Sequence, residues 1–223
     1  MKAKRLAGEK AAEYVKNGMF VGLGTGSTAY WAIQKLSSMV KAGLKIKAVP
    51  TSKETAELAR KGGIELIELA DIEKLDLTID GADEVDSELN LIKGGGGALL
   101  REKIVASASD KLIIVADESK LSDKLGSFPL AVEVCKFSWE FTKRQIEKLG
   151  CSGKLRETED GQTFITDNEN YIIDCDFSVI DKPVQMAVNL NRIPGVVENG
   201  IFPEMADVIV VGYKNGDVRI IEK

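Results

Sequence analysis

Met19-Phe20-Val21-Gly22-Leu23-Gly24-Thr25-Gly26-Ser27-Thr28 opens with a short apolar run, passes through three alternating glycines and leads into Ala29-Tyr30-Trp31-Ala32-Ile33, where the apolar spacing turns helical. A strand over 19–23, a glycine loop and a helix over 27–40 are predicted in that order. Glycines let backbone N–H groups crowd around an anion, and a helix start adds unpaired donors and a positive dipole end. Ser27 and Thr28 add hydroxyls and can cap the helix. The segment therefore favours a phosphate or another anion; a tight turn leading into a capped helix is the plainer reading. It is not a P-loop, because the Gly-Lys-Ser/Thr ending is missing. It also departs from GxGxxG, since Ser27 stands where the third glycine belongs.

The alternation continues outward from this unit. A helix is predicted over 3–16, with Asn17-Gly18 as its stop. Strands are predicted over 46–49, 64–67, 75–80 and 112–115. Helices are predicted over 52–61, capped by Ser52 and followed by Gly62-Gly63, and within 97–109. Such an order implies an α/β fold with a mostly parallel, Rossmann-like sheet flanked by helices. After about Ser127 the character changes. Strands at 130–134, 164–165 and 171–177 and helices at 139–149 and 183–190 read as a second, smaller α+β domain. Asn215-Gly216, flanked by apolar runs at 208–212 and 218–221, is a hairpin signal placed back on the large sheet. The expected organisation is a catalytic α/β domain of residues 1–126 plus 203–223, with a small domain at 127–202.

Composition narrows the chemistry. The chain has 223 residues, 44% hydrophobic and 29% charged, as an ordinary soluble globular protein does. Its longest apolar runs are too short for a bilayer, and the N-terminus has no apolar core behind its charges. No membrane association and a cytoplasmic location are expected. The net charge of −5 is mixed along the chain without a basic stripe, which argues against nucleic acid. Cys135, Cys151 and Cys175 are scattered and read as free thiols. There are 0 histidines. That removes Ser-His-Asp and Cys-His nucleophiles and histidine zinc sites, so carboxylates and lysines must move any protons.

Two further segments have the composition of a site. In Leu77-Thr78-Ile79-Asp80-Gly81-Ala82-Asp83-Glu84-Val85-Asp86 an apolar strand ends in a burst of acids. Ligands of open α/β sheets bind beyond the carboxyl ends of strands, where these acids would sit. Asp80 and Asp83 can orient hydroxyls, shuttle a proton or hold a divalent metal; a solvated acidic loop is the alternative. In Lys93-Gly94-Gly95-Gly96-Gly97-Ala98-Leu99-Leu100-Arg101-Glu102-Lys103 four consecutive glycines precede a helix. Such a run is entropically costly, and close approach to a ligand is one reason to keep it. Glu102, on spacing alone, is most simply a solvated helix residue.

Taken together, these segments resemble ribose-5-phosphate isomerase of the A type. The matching stretches are 22–29, 80–86 and 93–103, joined by Ala116-Asp117-Glu118-Ser119-Lys120 and Ile193-Pro194-Gly195-Val196-Val197. They run in order from the N-terminal helix to the final hairpin. The resemblance implies interconversion of D-ribose 5-phosphate and D-ribulose 5-phosphate in the pentose phosphate pathway, with no cofactor and a homodimer or homotetramer; the absence of histidine and a Lys93 able to supply positive charge lead to the expectation of no metal. It implies substrate binding by Thr25, Gly26, Ser27, Thr28, Asp80, Gly81, Ala82, Asp83, Lys93, Gly94, Gly95, Gly96 and Lys120, with Lys4 near the phosphate. Glu102 matches the family's catalytic base, and Asp80, Asp83 and Lys93 complete the catalytic set. An enediolate isomerisation suits a chain without histidine. It needs a base, for which a carboxylate suffices, with an ordinary pKa of about 4.3 that burial raises, and a positive charge near the developing oxyanion.

Other readings on a similar fold are an amino-sugar phosphate deaminase, an acyl-CoA transferase and a sugar-phosphate sensor. Deaminase chemistry usually recruits a histidine. A transferase glutamate acts as a nucleophile. A sensor needs none of the acids.

Overall fold

The computed structural model describes residues Met1–Lys223. In chain order the first elements are α1 (Lys2–Ala12), β1 (Phe20–Leu23), α2 (Ala29–Lys41), β2 (Lys47–Pro50), α3 (Lys53–Gly62), β3 (Glu65–Leu66) and β4 (Leu77–Gly81). Next come β5 (Glu84–Val85), β6 (Leu91–Ile92), α4 (Leu99–Ser107), β7 (Leu112–Asp117), β8 (Leu130–Val134), α5 (Trp139–Glu147), β9 (Ser152–Leu155) and β10 (Tyr171–Asp176). The chain ends with α6 (Pro183–Asn191), β11 (Val196–Asn199), β12 (Ile201–Phe202), β13 (Val208–Gly212) and β14 (Val218–Glu222). These elements fall into two compact units. One comprises Met1–Ala82, Arg101–Leu121 and Met205–Lys223, the other Asp83–Leu100 and Ser122–Glu204.

The first unit is built on a seven-stranded sheet of order β14-β13-β7-β4-β1-β2-β3. Every neighbouring pair is parallel except the β13–β14 hairpin, whose turn holds Gly216 at φ 104°. Strands β7 and β13 read as unbroken apolar runs because all five residues Leu112 to Ala116, and all five of β13, are buried. That is the pattern of parallel strands covered on both faces. Truncating such a residue, for example Ile113→Ala, costs about 2–5 kcal/mol. Helix α3 starts where the sequence places its cap: Ser52 Oγ accepts from Thr55 N at 3.0 Å, and Gly63 closes the helix at φ 82°.

The strand order also sets the position of the glycine loop. From β1 the chain moves to β2 and β3 on one side, then returns to β4, β7 and β13 on the other. The order thus reverses at β1 and β4, which pair in register at Leu23↔Ile79. A reversal of this kind opens a crevice at the carboxyl ends of the two strands, the usual binding place of an open α/β sheet.

The second unit holds a four-stranded antiparallel sheet, β11-β8-β10-β9, and a small antiparallel sheet, β12-β6-β5. Val132, Val134, Ile146, Ile173 and Leu190 form its core. The stretch 83–100 groups with this unit, whereas the sequence reading drew the first domain continuously from 1 to 126. The physical reason is pairing distant in sequence. β6 pairs with β12 at Ile92↔Ile201, and Lys93 N donates to Gly200 O at 2.8 Å. Two-residue strands leave no periodic signal. The expected strand at 164–165 is absent as well. Only the bridge Glu157↔Thr163 forms there, and β10 pairs instead with β9, which has one apolar residue in Ser-Gly-Lys-Leu. Phe164 packs against Leu99, Ala131 and Ile172.

Candidate active site

In the first unit the chemistry gathers at the ends of β1 and β4. Gly24 N donates to Ile79 O at 2.9 Å, which draws the glycine loop against Asp80. A Cβ on Gly24 would overlap the Asp80 carboxylate, so only glycine fits. Asp80 is fully buried, and its Oδ1 accepts from Thr25 N at 3.1 Å and Gly81 N at 2.7 Å. The Thr25 hydroxyl is engaged elsewhere, with the Thr51, Ser52 and Thr55 hydroxyls at 2.7, 2.9 and 3.1 Å. Thr55 Oγ1 in turn donates to Gly24 O at 3.0 Å. This hydroxyl cluster fixes the loop from behind while its amide holds the carboxylate.

The rest of the loop faces a cavity of about 470 Å³ whose lining includes Lys4, Gly24, Gly26, Ser27, Tyr30 and Thr55. Gly26 adopts φ 110°, a left-handed turn open to glycine at little cost, and its carbonyl accepts from Tyr30 N at 2.9 Å. Lys4 Nζ donates to Ser27 Oγ at 2.9 Å. Thr28 precedes α2 but makes no side-chain capping bond, so the cap that the sequence suggests is not formed by this hydroxyl. A cavity with loop amides, a hydroxyl and an ammonium at a helix start suits a dianion.

Asp117, at the end of β7, joins this group and was not singled out in the sequence as a site residue. Its Oδ2 lies 4.0 Å from Lys4 Nζ, and its Oδ1 accepts from the Ser119 amide at 3.0 Å and the Ser119 hydroxyl at 2.5 Å. Burial pushes the Asp117 carboxyl up. The Ser119 bonds and the Lys4 and Lys120 ammoniums more than offset this, and hold it below the usual aspartate value. The signal available in the sequence was its place at a strand end, just before Lys120. Glu102 lies in the first turn of α4 and is 4% exposed, so it is not the solvated helix residue that spacing alone suggests.

In the second unit the glycine run follows β6. Lys93 is 2% exposed, and its Nζ lies 5.5 Å from the centroid of the Phe202 ring. Asp83 Oδ2 accepts from Gly95 N at 2.7 Å, and Asp83 N donates to Ile92 O at 2.8 Å, which ties the acid to the loop. A Cβ on Gly95 would meet the Asp83 carboxylate. Arg156, which the sequence reading missed, donates through Nη1 to Gly94 O at 2.8 Å and Gly95 O at 3.2 Å. A lone arginine in a polar stretch carries no sequence signal of such a contact.

Comparison with known proteins gives the family. The model of the family ribose 5-phosphate isomerase A (phosphoriboisomerase A) matches residues 47–216. The chain is 57% identical over 217 residues to ribose-5-phosphate isomerase A of Bacillus mycoides, covering 97% of this chain and 98% of the relative. It is 52% identical over 227 residues to the enzyme of the same name from Ruegeria sp. (strain TM1040), covering 98% and 86%. Among solved structures, a D-ribose-5-phosphate isomerase in complex with phospho-erythronic acid superposes with a TM-score of 0.95 at 39% identity, covering 99% of this chain and 97% of that one. Ribose 5-phosphate isomerase from Plasmodium falciparum gives 0.95 at 41%, with the same coverage. The sheet reversal, the glycine loops and the buried acids and lysine thus stand in a chain that belongs to the ribose-5-phosphate isomerase A family, the aldose–ketose isomerases of the pentose phosphate pathway.

Proposed function

We propose that Glu102 carries the proton between C2 and C1 of the open-chain sugar phosphate, through an enediolate. Starting from ribose 5-phosphate, Glu102 takes the C2 proton, the electron pair moves into the C1–C2 bond, and the carbonyl oxygen becomes anionic. The O2 hydroxyl proton passes to the anionic O1, and the same carboxylate returns its proton to C1 as the C2 carbonyl forms, so the product differs from the substrate only in where hydrogen sits. Lys93 provides positive charge for the oxyanion, a contribution worth about 10²–10³ in rate for comparable donors. Asp80 opens the furanose ring by moving a proton between the anomeric hydroxyl and the ring oxygen. Asp83 and the amides of Gly94, Gly95 and Gly96 orient the sugar hydroxyls, together with the backbone of Gly81 and Ala82. The phosphate takes the loop of Thr25, Gly26, Ser27 and Thr28, with Lys4 and Lys120 as counter-charges.

One observation carries this reading. Asp80, Lys93 and Glu102 are 0%, 2% and 4% exposed, in a chain with no histidine. Burying ionisable groups is costly, and a protein that keeps three of them in segments rich in glycine has a use for them. Phospho-erythronic acid, bound by a solved relative, combines a phosphate with a carboxylate. Those are the two kinds of anion this site must hold, the second standing in for the enediolate oxygens. The protein acts in the cytoplasm as a homodimer or homotetramer, which sedimentation at micromolar concentration distinguishes; a monomer at full activity refutes both. The mechanism is tested with purified protein, dialysed against chelator, given ribose 5-phosphate in deuterated water. Ketose formation with label entering at the transferred carbon is expected. Turnover that stops on chelation and returns with a divalent ion would replace Lys93 by a metal.

A further inference from the structure

We infer that Arg156, clamped by Asp174, is a positioning residue for the isomerisation, fixing the peptide planes of the Lys93–Gly96 loop. The inference rests on the roles proposed above for Lys93 and the glycines. A run of glycines has no side chains of its own to anchor it and loses the most backbone freedom on ordering, and its one internal bond, Gly97 N to Gly94 O at 2.9 Å, leaves the Gly95–Gly96 peptide unfixed. Arg156 fixes it from outside the loop. Its own backbone is pinned on both sides, with N donating to Ile172 O at 2.9 Å and O accepting from Phe164 N at 2.9 Å. The guanidinium forms a two-pronged pair with Asp174, Nε to Oδ2 at 2.9 Å and Nη2 to Oδ1. It lies 5.8 Å from the centroid of the Phe164 ring, and the Arg156 side chain is 13% exposed. This leaves Nη1 to bridge the Gly94 and Gly95 carbonyls at 2.8 and 3.2 Å.

The consequence follows from the planarity of the trans peptide, in which C=O and N–H point in opposite directions. The Gly94–Gly95 peptide is held at both ends, its oxygen by Arg156 and by the Gly97 amide at 2.9 Å, and its N–H by Asp83 Oδ2 at 2.7 Å. The Gly95–Gly96 peptide is held by its oxygen alone. Its N–H, that of Gly96, is thereby turned away from the guanidinium and preset as a donor for a substrate oxygen. One planar fork thus sets the rotation of the Gly95–Gly96 peptide and, together with the Gly97 and Asp83 bonds, that of the Gly94–Gly95 peptide. Asp174 neutralises the fork, so the effect is geometric rather than a general attraction for anions. Lysine, whose three donors all sit on one nitrogen, cannot span a carboxylate and two carbonyls in one plane.

Three variants test this: Arg156→Met, Arg156→Lys, and Arg156→Met combined with Asp174→Asn. Each is measured for thermal midpoint, kcat and KM with ribose 5-phosphate. Arg156→Met should lower kcat by about 10²-fold, the size of effect that loose positioning of reacting groups produces, while KM moves only a few-fold. Arg156→Lys should remain impaired in kcat. The double variant removes the stranded Asp174 charge and should regain thermal stability without regaining kcat. Wild-type kcat in Arg156→Met or in Arg156→Lys would overturn the inference, as would kcat that returns with stability in the double variant. Failure of the underlying reading looks different: Glu102→Gln or Lys93→Met would then turn over normally, while the Arg156 variants could still be impaired.

Discussion

The backbone amide of Thr25 donates to Asp80 Oδ1 at 3.1 Å, which ties the glycine loop after β1 to the acid at the end of β4. The bond spans the two strands at which the sheet order reverses. It holds the Asp80 carboxylate against the loop, and Gly24 leaves just enough room for it.

Asp80→Asn should therefore keep its place. An asparagine Oδ1 can still accept from Thr25 and Gly81, but the amide cannot take up and return a proton. Turnover of the cyclic substrate should fall by about 10²–10⁴, the usual worth of a positioned acid or base. Exchange on an open-chain sugar phosphate should fall much less. Equal slowing of both would reassign Asp80 to the enediolate step or to the fold.

The loop's hydroxyls give a second outcome. Ser27 accepts from Lys4, and the loop borders the cavity at the start of α2. Ser27→Ala with Thr28→Ala should raise KM for ribose 5-phosphate far more than it weakens binding of unphosphorylated ribose. The same loss on both sugars would show that the phosphate is held elsewhere.

Both experiments concern residues visible in the sequence, and the reason is local. The loop at 22–28 and the acids at 80–83 sit directly after apolar strands, so strand-end position alone marks them. Strands β7 and β13 were legible because each is a run of consecutive apolar residues, and β8 because only Glu133 interrupts its apolar residues. What sequence could not supply was pairing over long separations. Strand β12 meets β6 across more than a hundred residues, so the grouping of 83–100 with 122–204 leaves no signal in the local sequence. Arg156 reaches Gly94 over 62 positions, and nothing at either position announces the other. Thr28 shows the opposite failure: a residue type that commonly caps helices stands at a helix start without capping it.

Glu84 supplies a prediction for stability rather than catalysis. Burial pushes its carboxyl up from the ordinary 4.5, but the Ser127 hydroxyl at 2.5 Å, the Gly126 and Phe128 amides at 2.9 and 3.2 Å, and Ser122 pull it further down, and the net shift is downward. A carboxylate whose folded pKa lies below its unfolded value contributes stability that is complete above the unfolded pKa. That contribution is lost as pH falls through the folded one. The thermal midpoint should thus drop on acidification below about pH 4.5. Glu84→Gln should lower the midpoint at pH 7, by the equivalent of about 1–3 kcal/mol for the disrupted buried bonds, and flatten the acid slope. Melting curves of both proteins from neutral to acid pH decide it. An unchanged slope in the variant would assign the acid sensitivity to other carboxylates.

The sharpest test concerns Glu102. With no histidine in the chain, the proton between C1 and C2 must ride on a carboxylate or a lysine. Glu102 is buried in the first turn of α4, which follows the glycine run. Glutamine has nearly the same size and polarity but cannot accept the proton. Glu102→Gln should leave binding of a non-reacting sugar-acid phosphate within a few-fold of the wild type. It should cut kcat by at least about 10²–10⁴, so that kcat and kcat/KM fall together, as they do when an interaction made only in the transition state is removed. Deuterium supplies an independent reading. In deuterated water the wild type should place label at the transferred carbon to the extent that the base exchanges with solvent before returning its proton. The variant should lose isomerisation and label exchange together. A Glu102→Gln protein that still exchanges label at the wild-type rate removes Glu102 from the proton path. Asp83, held against the Gly95 amide at 2.7 Å, would then be the next base to replace.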